Sequence, residues 1–158
     1  MRVAIASDHG GYSLKRQLLK RLGDTGDSFV DFGSDSEESV DYPDYAFEVA
    51  GRVASGEFDR GILLCGTGIG MAIAANKVNG IRAATVHDLF SAQATRAHND
   101  SNILTMGGRV VDSELAEQIV RVWLKTPFES GRHARRLETI HRVEQDGINT
   151  AARTKEES

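Results

Sequence analysis

The chain has 158 residues, an ordinary size for one domain, and its 40% hydrophobic content is enough to bury a core. A formal net charge of -4 argues against a sequence-independent grip on nucleic acid, which needs a surplus of Lys and Arg, but leaves room for a compact anion held by local positive charge. A single cysteine excludes a disulfide framework. The first apolar run reaches Asp8 too soon for a signal peptide, and no stretch approaches a membrane span, so a cytoplasmic protein is expected.

Residues 3–6 are apolar and lead into Ser7-Asp8-His9-Gly10-Gly11, which predicts a buried strand and a tight turn. Leu14, Leu18 and Leu22 follow at fourfold spacing among lysines and arginines, the pattern of an amphipathic helix. A second strand is expected over residues 29–32, and the acidic, polar residues 34–41 read as a loop. Pro43 suits the first turn of the next helix, whose buried face carries Val49 and Val53 and which Gly56 closes.

Residues 61–65 form the third predicted strand, running into Gly66-Thr67-Gly68-Ile69-Gly70 and an alanine-rich helix that stops before Asn79-Gly80. The fourth strand is expected over 82–86. Asp88 then caps a helix that ends near His98-Asn99-Asp100. The fifth covers 103–108, and Asp112 caps a helix bearing Leu115, Ile119, Val122 and Trp123, ended by Thr126-Pro127. A last helix is expected from Gly131 to about Asp146, with Leu137 and Ile140 facing inward, and residues 149–158 read as a polar, frayed tail after one domain spanning 1–148.

Strands that alternate with helices imply an α/β fold, a three-layer αβα Rossmann-like sandwich on a five-stranded parallel sheet. Ligands of such sheets bind beyond the carboxyl ends of the strands, where strand order reverses. That rule gathers Asp8 and His9, the segment from Cys65 to Gly70, His87, and Arg109.

Each candidate has two readings. Cys65 is either a small buried hydrophobe or a thiolate favoured by the helix start behind it. The glycines at 66, 68 and 70 either permit a tight turn or present amides to a phosphate or oxyanion. They are not a dinucleotide fingerprint, because Met71 breaks it, and no Walker lysine is present. Arg132, Arg135 and Arg136 share a helical face that is either solvated or a phosphate grip. His98 is either a helix-end histidine or a proton donor. The histidines show no close i, i+4 pair, which argues against a metal site.

Several segments together resemble the B-type ribose-5-phosphate isomerases. They are Ala6-Ser7-Asp8-His9-Gly10-Gly11, Asp41-Tyr42-Pro43, Cys65-Gly66-Thr67-Gly68-Ile69-Gly70, His98-Asn99-Asp100-Ser101-Asn102, Gly108-Arg109-Val110, and Gly131-Arg132-His133 with Arg136. The resemblance runs from residue 1 to about residue 146. It implies a cofactor- and metal-free aldose–ketose isomerase acting on a phosphorylated sugar, working as a homodimer or a dimer of dimers with a shared site, without nucleic acid or membrane.

It also implies roles. Cys65 is the base, His98 opens the sugar ring, and Thr67 assists proton movement. Asp8, Tyr42, Gly66, Gly68, Ile69, Gly70 and Asn99 contact the sugar or its enediolate, and His9, Arg109, Arg132 and Arg136 hold the phosphate. Asp8, His9, Tyr42 and the Cys65 loop are expected to face, at least in part, His98, Asn99, Arg109, Arg132 and Arg136 of the partner. Isomerases of allose 6-phosphate, galactose 6-phosphate or a four-carbon ketose phosphate share these features. A cysteine phosphatase would need arginine at position 71, where the chain has Met71, and a non-catalytic phosphosugar-binding module would not need Cys65.

Overall fold

Apolar residues that alternate between two covered faces make every central strand of this fold a two-sided wall. In the computed structural model, which describes residues 1–147, β1 (Arg2–Ser7) sends Val3 and Ile5 to one core and Ala4 and Ala6 to the other. β3 (Arg60–Cys65) does the same, with Ile62 and Leu64 against Leu63 and Cys65. With β2 (Ser28–Asp31), β4 (Ala83–Thr85) and β5 (Ile103–Gly107) they form a parallel five-stranded sheet of order β2-β1-β3-β5-β4.

The first core lies under α1 (Tyr12–Arg21), α4 (Leu89–Asn99) and α5 (Ser113–Lys125), through Leu14, Leu18, Ala92, Ile119 and Trp123. Trp123 is fully buried, and its indole N–H donates to Ser101 Oγ at 2.9 Å, so its polar end is satisfied inside the core. The second core lies under α2 (Tyr42–Ala54) and α3 (Ile69–Ala75), through Ala46, Val49, Val53, Met71 and Ala75. The expected caps form: Asp88 accepts from the Ser91 amide and Asp112 from the Leu115 amide. The α/β sandwich expected from the alternating pattern is the one observed.

The last helix departs from expectation. α6 (Arg132–Asp146) forms, but its one buried residue is His133, while Leu137 is half-buried and Ile140 is 52% exposed. The helix packs on α4 and leaves a groove of about 620 Å³, which Leu137, Ile140 and Val143 line from one side and Ile81, Ala83 and Ala84 from the other. Its apolar stripe faces a space that the described residues do not fill. The polar tail expected over residues 149–158 lies outside the described residues. Among those described, no helix is long and apolar enough to cross a membrane.

Candidate active site

Strand order reverses between β1 and β3, and the loops leaving these strands and β5 meet at that point. The meeting is close because glycines line it: a Cβ on Gly10 would stand 2.9 Å from the Gly66 amide nitrogen. Asp8, buried at the end of β1, accepts the Gly10 and Gly11 amides on Oδ1 at 2.8 and 3.1 Å, which shapes the turn. His9 accepts the Val40 amide on Nδ1 at 3.2 Å, placing its proton on Nε2 and tying down the acidic loop. Buried Lys15 fixes the start of that loop, donating to Asp31 Oδ1 and to the Ser34 carbonyl.

Cys65 ends β3 and is 5% exposed, its side chain against the second core. Its sulfur still has a polar partner, because the Gly68 amide donates to Sγ at 3.0 Å. That geometry requires glycine: Gly68 has φ +78°, and a Cβ there would sit 2.8 Å from the Met106 carbonyl carbon. The Ile69 amide goes to Thr67 Oγ1 at 3.3 Å. Two amides of the loop are therefore directed to Cys65 and Thr67 within the chain.

Positive charge lies against the neighbouring residue, Gly66. Arg109 leaves β5 with its amide on the Gly66 carbonyl at 3.1 Å, and its guanidinium would stand 3.0 Å from a Cβ on Gly66. The Tyr42 ring covers Gly70 from the start of α2. Asp8, His9, Tyr42, Arg109 and the loop from Cys65 to Gly70 thus form one cluster, and Arg109 belongs to the Cys65 side of its own chain. His87 has a different task. Its Nε2 accepts the Gly107 amide at 3.0 Å, joining the ends of β4 and β5, and burial pushes its pKa down.

The remaining candidates form a second cluster at the end of α4. His98 stacks on His133, with ring centroids 4.3 Å apart, and both face Glu129. Arg132 and Arg136 flank His133 on α6; burial, and then the charges of His98 and Arg132, lower the pKa of His133. Asn99 starts a turn braced by residues that spacing did not single out. Arg96, 4% exposed, donates to Asp100 Oδ1 at 2.8 Å and to the Ser101 carbonyl at 2.6 Å. Arg82 donates to the carbonyls of Asn99 and Asp100. Asp100 adopts φ +47°, a left-handed cap that carries no glycine signal. No described hydrogen bond, ion pair or ring contact joins this second cluster to the Cys65 cluster.

Residues 3–140 match the ribose/galactose isomerase family. This chain belongs to that family. The isomerase is 54% identical to a putative sugar phosphate isomerase of Bacillus subtilis, covering 94% of this chain and 100% of that one. It is 49% identical to the ribose-5-phosphate isomerase B of Escherichia coli, covering 91% and 97%. It is also 44% identical to a D-erythrulose-4-phosphate isomerase of Pectobacterium atrosepticum, covering 87% and 91%. Among solved structures it superposes on Clostridium thermocellum ribose-5-phosphate isomerase B with TM-score 0.91 at 51% identity, covering 94% of this chain and 100% of that one. The isomerase is thus an enzyme acting on phosphorylated sugars.

Proposed function

We propose that this isomerase interconverts ribose 5-phosphate and ribulose 5-phosphate, with Cys65 as the proton-moving base and His98 as the ring-opening acid. The observation that carries the reading is the Gly68 amide aimed at Cys65 Sγ, with the Arg109 guanidinium beside the same loop. The loop thus gives the sulfur a hydrogen-bond donor where β3 ends, at the crevice in which ligands of such sheets bind.

His98 gives its proton to the ring oxygen as the C1–O bond to that oxygen breaks, and the C1 hydroxyl loses its proton to water as C1 becomes a carbonyl, which leaves His98 to be reprotonated from solvent. The Cys65 thiolate then takes the C2 proton, and the electron pair moves into an enediolate. Thr67 relays a proton between the two sugar oxygens, and Cys65 returns its proton to C1 to give the ketose. One base serves both transfers because C1 and C2 are neighbours on one face. Asp8 and Asn99 hold sugar oxygens, Tyr42 closes the pocket, and His9, Arg109, Arg132 and Arg136 hold the phosphate.

A second copy of the chain completes the site. The separation of the Cys65 cluster from the His98 cluster supports this, as do the exposed apolar residues Ile69, Ile73, Phe90, Val110 and Ile140. The Pectobacterium relative favours one alternative, a four-carbon sugar phosphate as substrate.

The test is a panel of phosphorylated sugars, run on wild type and Cys65→Ala together. Ribose 5-phosphate should give the highest kcat/KM, and Cys65→Ala should lower kcat by about 10²–10⁴-fold with KM nearly unchanged. A different sugar phosphate turning over about a hundredfold better would replace the substrate assignment. Full activity in Cys65→Ala would remove Cys65 from the mechanism.

A further inference from the structure

We propose that His98, Glu129 and His133 form a transition-metal site, suited to zinc, whose occupancy silences the isomerase. The silencing half rests on the reading of His98 as the ring-opening acid; the metal site rests on geometry.

His98 sits in the last turn of α4 and His133 in the first turn of α6, and Glu129 lies in the segment between these helices. The Glu129 amide donates to the Ala97 carbonyl at 3.0 Å, which pins the carboxylate beside the turn that carries His98. Glu129 Oε2 stands 3.9 Å from His98 Nε2 and 3.6 Å from His133 Nε2, and the three possible ligand atoms lie within 4.8 Å of one another. A tetrahedral zinc with bonds of about 2.0–2.2 Å sets its ligand atoms about 3.3–3.6 Å apart. The two carboxylate–imidazole spacings are already close to that.

The imidazole pair must adjust further. The rings are stacked with 10° between their planes, so their in-plane lone pairs run side by side rather than converge. His98 is the ring that turns, because its side chain is 44% exposed while that of His133 is buried. Two imidazoles and one carboxylate make a ligand set zinc takes when a fourth position stays open to water or substrate. Arg132 and Arg136 oppose a dication here, but both are exposed and solvent screens them. The site should therefore bind more weakly than a structural zinc site. Metal on Nε2 occupies the lone pair that His98 uses to carry its proton, so ring opening stops until the ion leaves.

The test uses metal-stripped full-length protein titrated with Zn²⁺ against a chromophoric chelator, with Co²⁺ as the spectroscopic probe. Wild type should take up one ion per chain at this cluster, with Co²⁺ giving a tetrahedral nitrogen–oxygen spectrum. Glu129→Gln and His133→Gln should each weaken binding by about tenfold or more, and Cys65→Ser should keep it. Glu129 is exposed, so its variant is informative even if the His133 variant does not fold. In turnover of ribose 5-phosphate, Zn²⁺ should inhibit wild type reversibly on chelation, and Glu129→Gln should resist by about tenfold. No binding tighter than millimolar, unchanged affinity in Glu129→Gln, or a sulfur-to-cobalt band lost in Cys65→Ser overturns the site. Binding at these residues without inhibition overturns the silencing and the assigned role of His98, but leaves the site standing. Failure of metal-free enzyme to turn over any sugar phosphate overturns the isomerase reading and the silencing, while the binding result still decides the site.

Discussion

Replacing Gly68 by alanine tests whether the Cys65 loop is held by backbone that only glycine can supply. Two costs follow from its position. At φ +78° any residue with a Cβ is strained, by about 1–2 kcal/mol. The added methyl would also stand 2.8 Å from the Met106 carbonyl carbon and 3.0 Å from its Cα, inside β5, where nothing can rotate away. Overpacking of this kind costs about a further 1–3 kcal/mol. Gly56 is the internal control, because it has φ +80° and no atom within 4 Å of a built Cβ. Urea unfolding should therefore show Gly56→Ala destabilised by about 1–2 kcal/mol and Gly68→Ala by about 2–5 kcal/mol. The loop can relieve the clash by moving off β5, which withdraws the Gly68 amide from Cys65 Sγ. A hydrogen bond to a charged group contributes about 1.5–3 kcal/mol, so kcat should fall about 10–150-fold in Gly68→Ala and stay unchanged in Gly56→Ala. Equal destabilisation of the two variants, or full activity in Gly68→Ala, would refute the argument.

Mixing Cys65→Ala with His98→Ala chains through a denaturation–renaturation cycle should restore about a quarter of wild-type activity if each site takes these residues from two copies; no recovery would place the site within one chain. Arg96→Met should cost about 1–3 kcal/mol in urea unfolding, less than a fully buried pair, because Asp100 keeps Arg82 and remains partly solvated. It should also lower kcat by loosening the turn that carries His98 and Asn99, and unchanged stability would show that this brace is idle. His87 and His133 both titrate below the ordinary 6.5 in the folded chain, so the unfolded chain takes up protons first on acidification. Their stabilising effect is complete above about pH 6.5 and is lost as pH falls through the lower folded values. The urea midpoint should therefore drop between pH 7.5 and about 5.5, and less so in His87→Gln; a flat profile would contradict the assignment.

Much of the fold was legible because its signals are local. Leu14, Leu18 and Leu22 recur at helical spacing, Asp88 and Asp112 cap the helices they precede, and the apolar runs at 3–6 and 61–65 read as buried strands. The Cys65 loop was legible for the same reason, since a strand, three spaced glycines and a helix follow one another directly. The burial of Ile140 was misjudged because periodicity identifies an apolar stripe without saying what covers it, and here the stripe faces a groove that no described residue fills. No local signal marks Arg96 off from other basic helix residues. Its burial follows from Asp100 and Ser101 folding back beneath it.

The metal-ligand cluster shows the same boundary from the other side. Glu129 and His133 stand four apart, a spacing that a search for histidine pairs alone passes over. His98 reaches them only because α4 and α6 pack together. Element type, helix caps and the Cys65 turn follow from neighbours along the chain, whose geometry covalent bonds constrain. The Arg109 guanidinium over Gly66, the φ that Gly68 must adopt under β5, and the stacking of His98 on His133 depend on contacts between distant segments. Those contacts exist only after burial of the two cores has set the sheet order and brought the loop ends together.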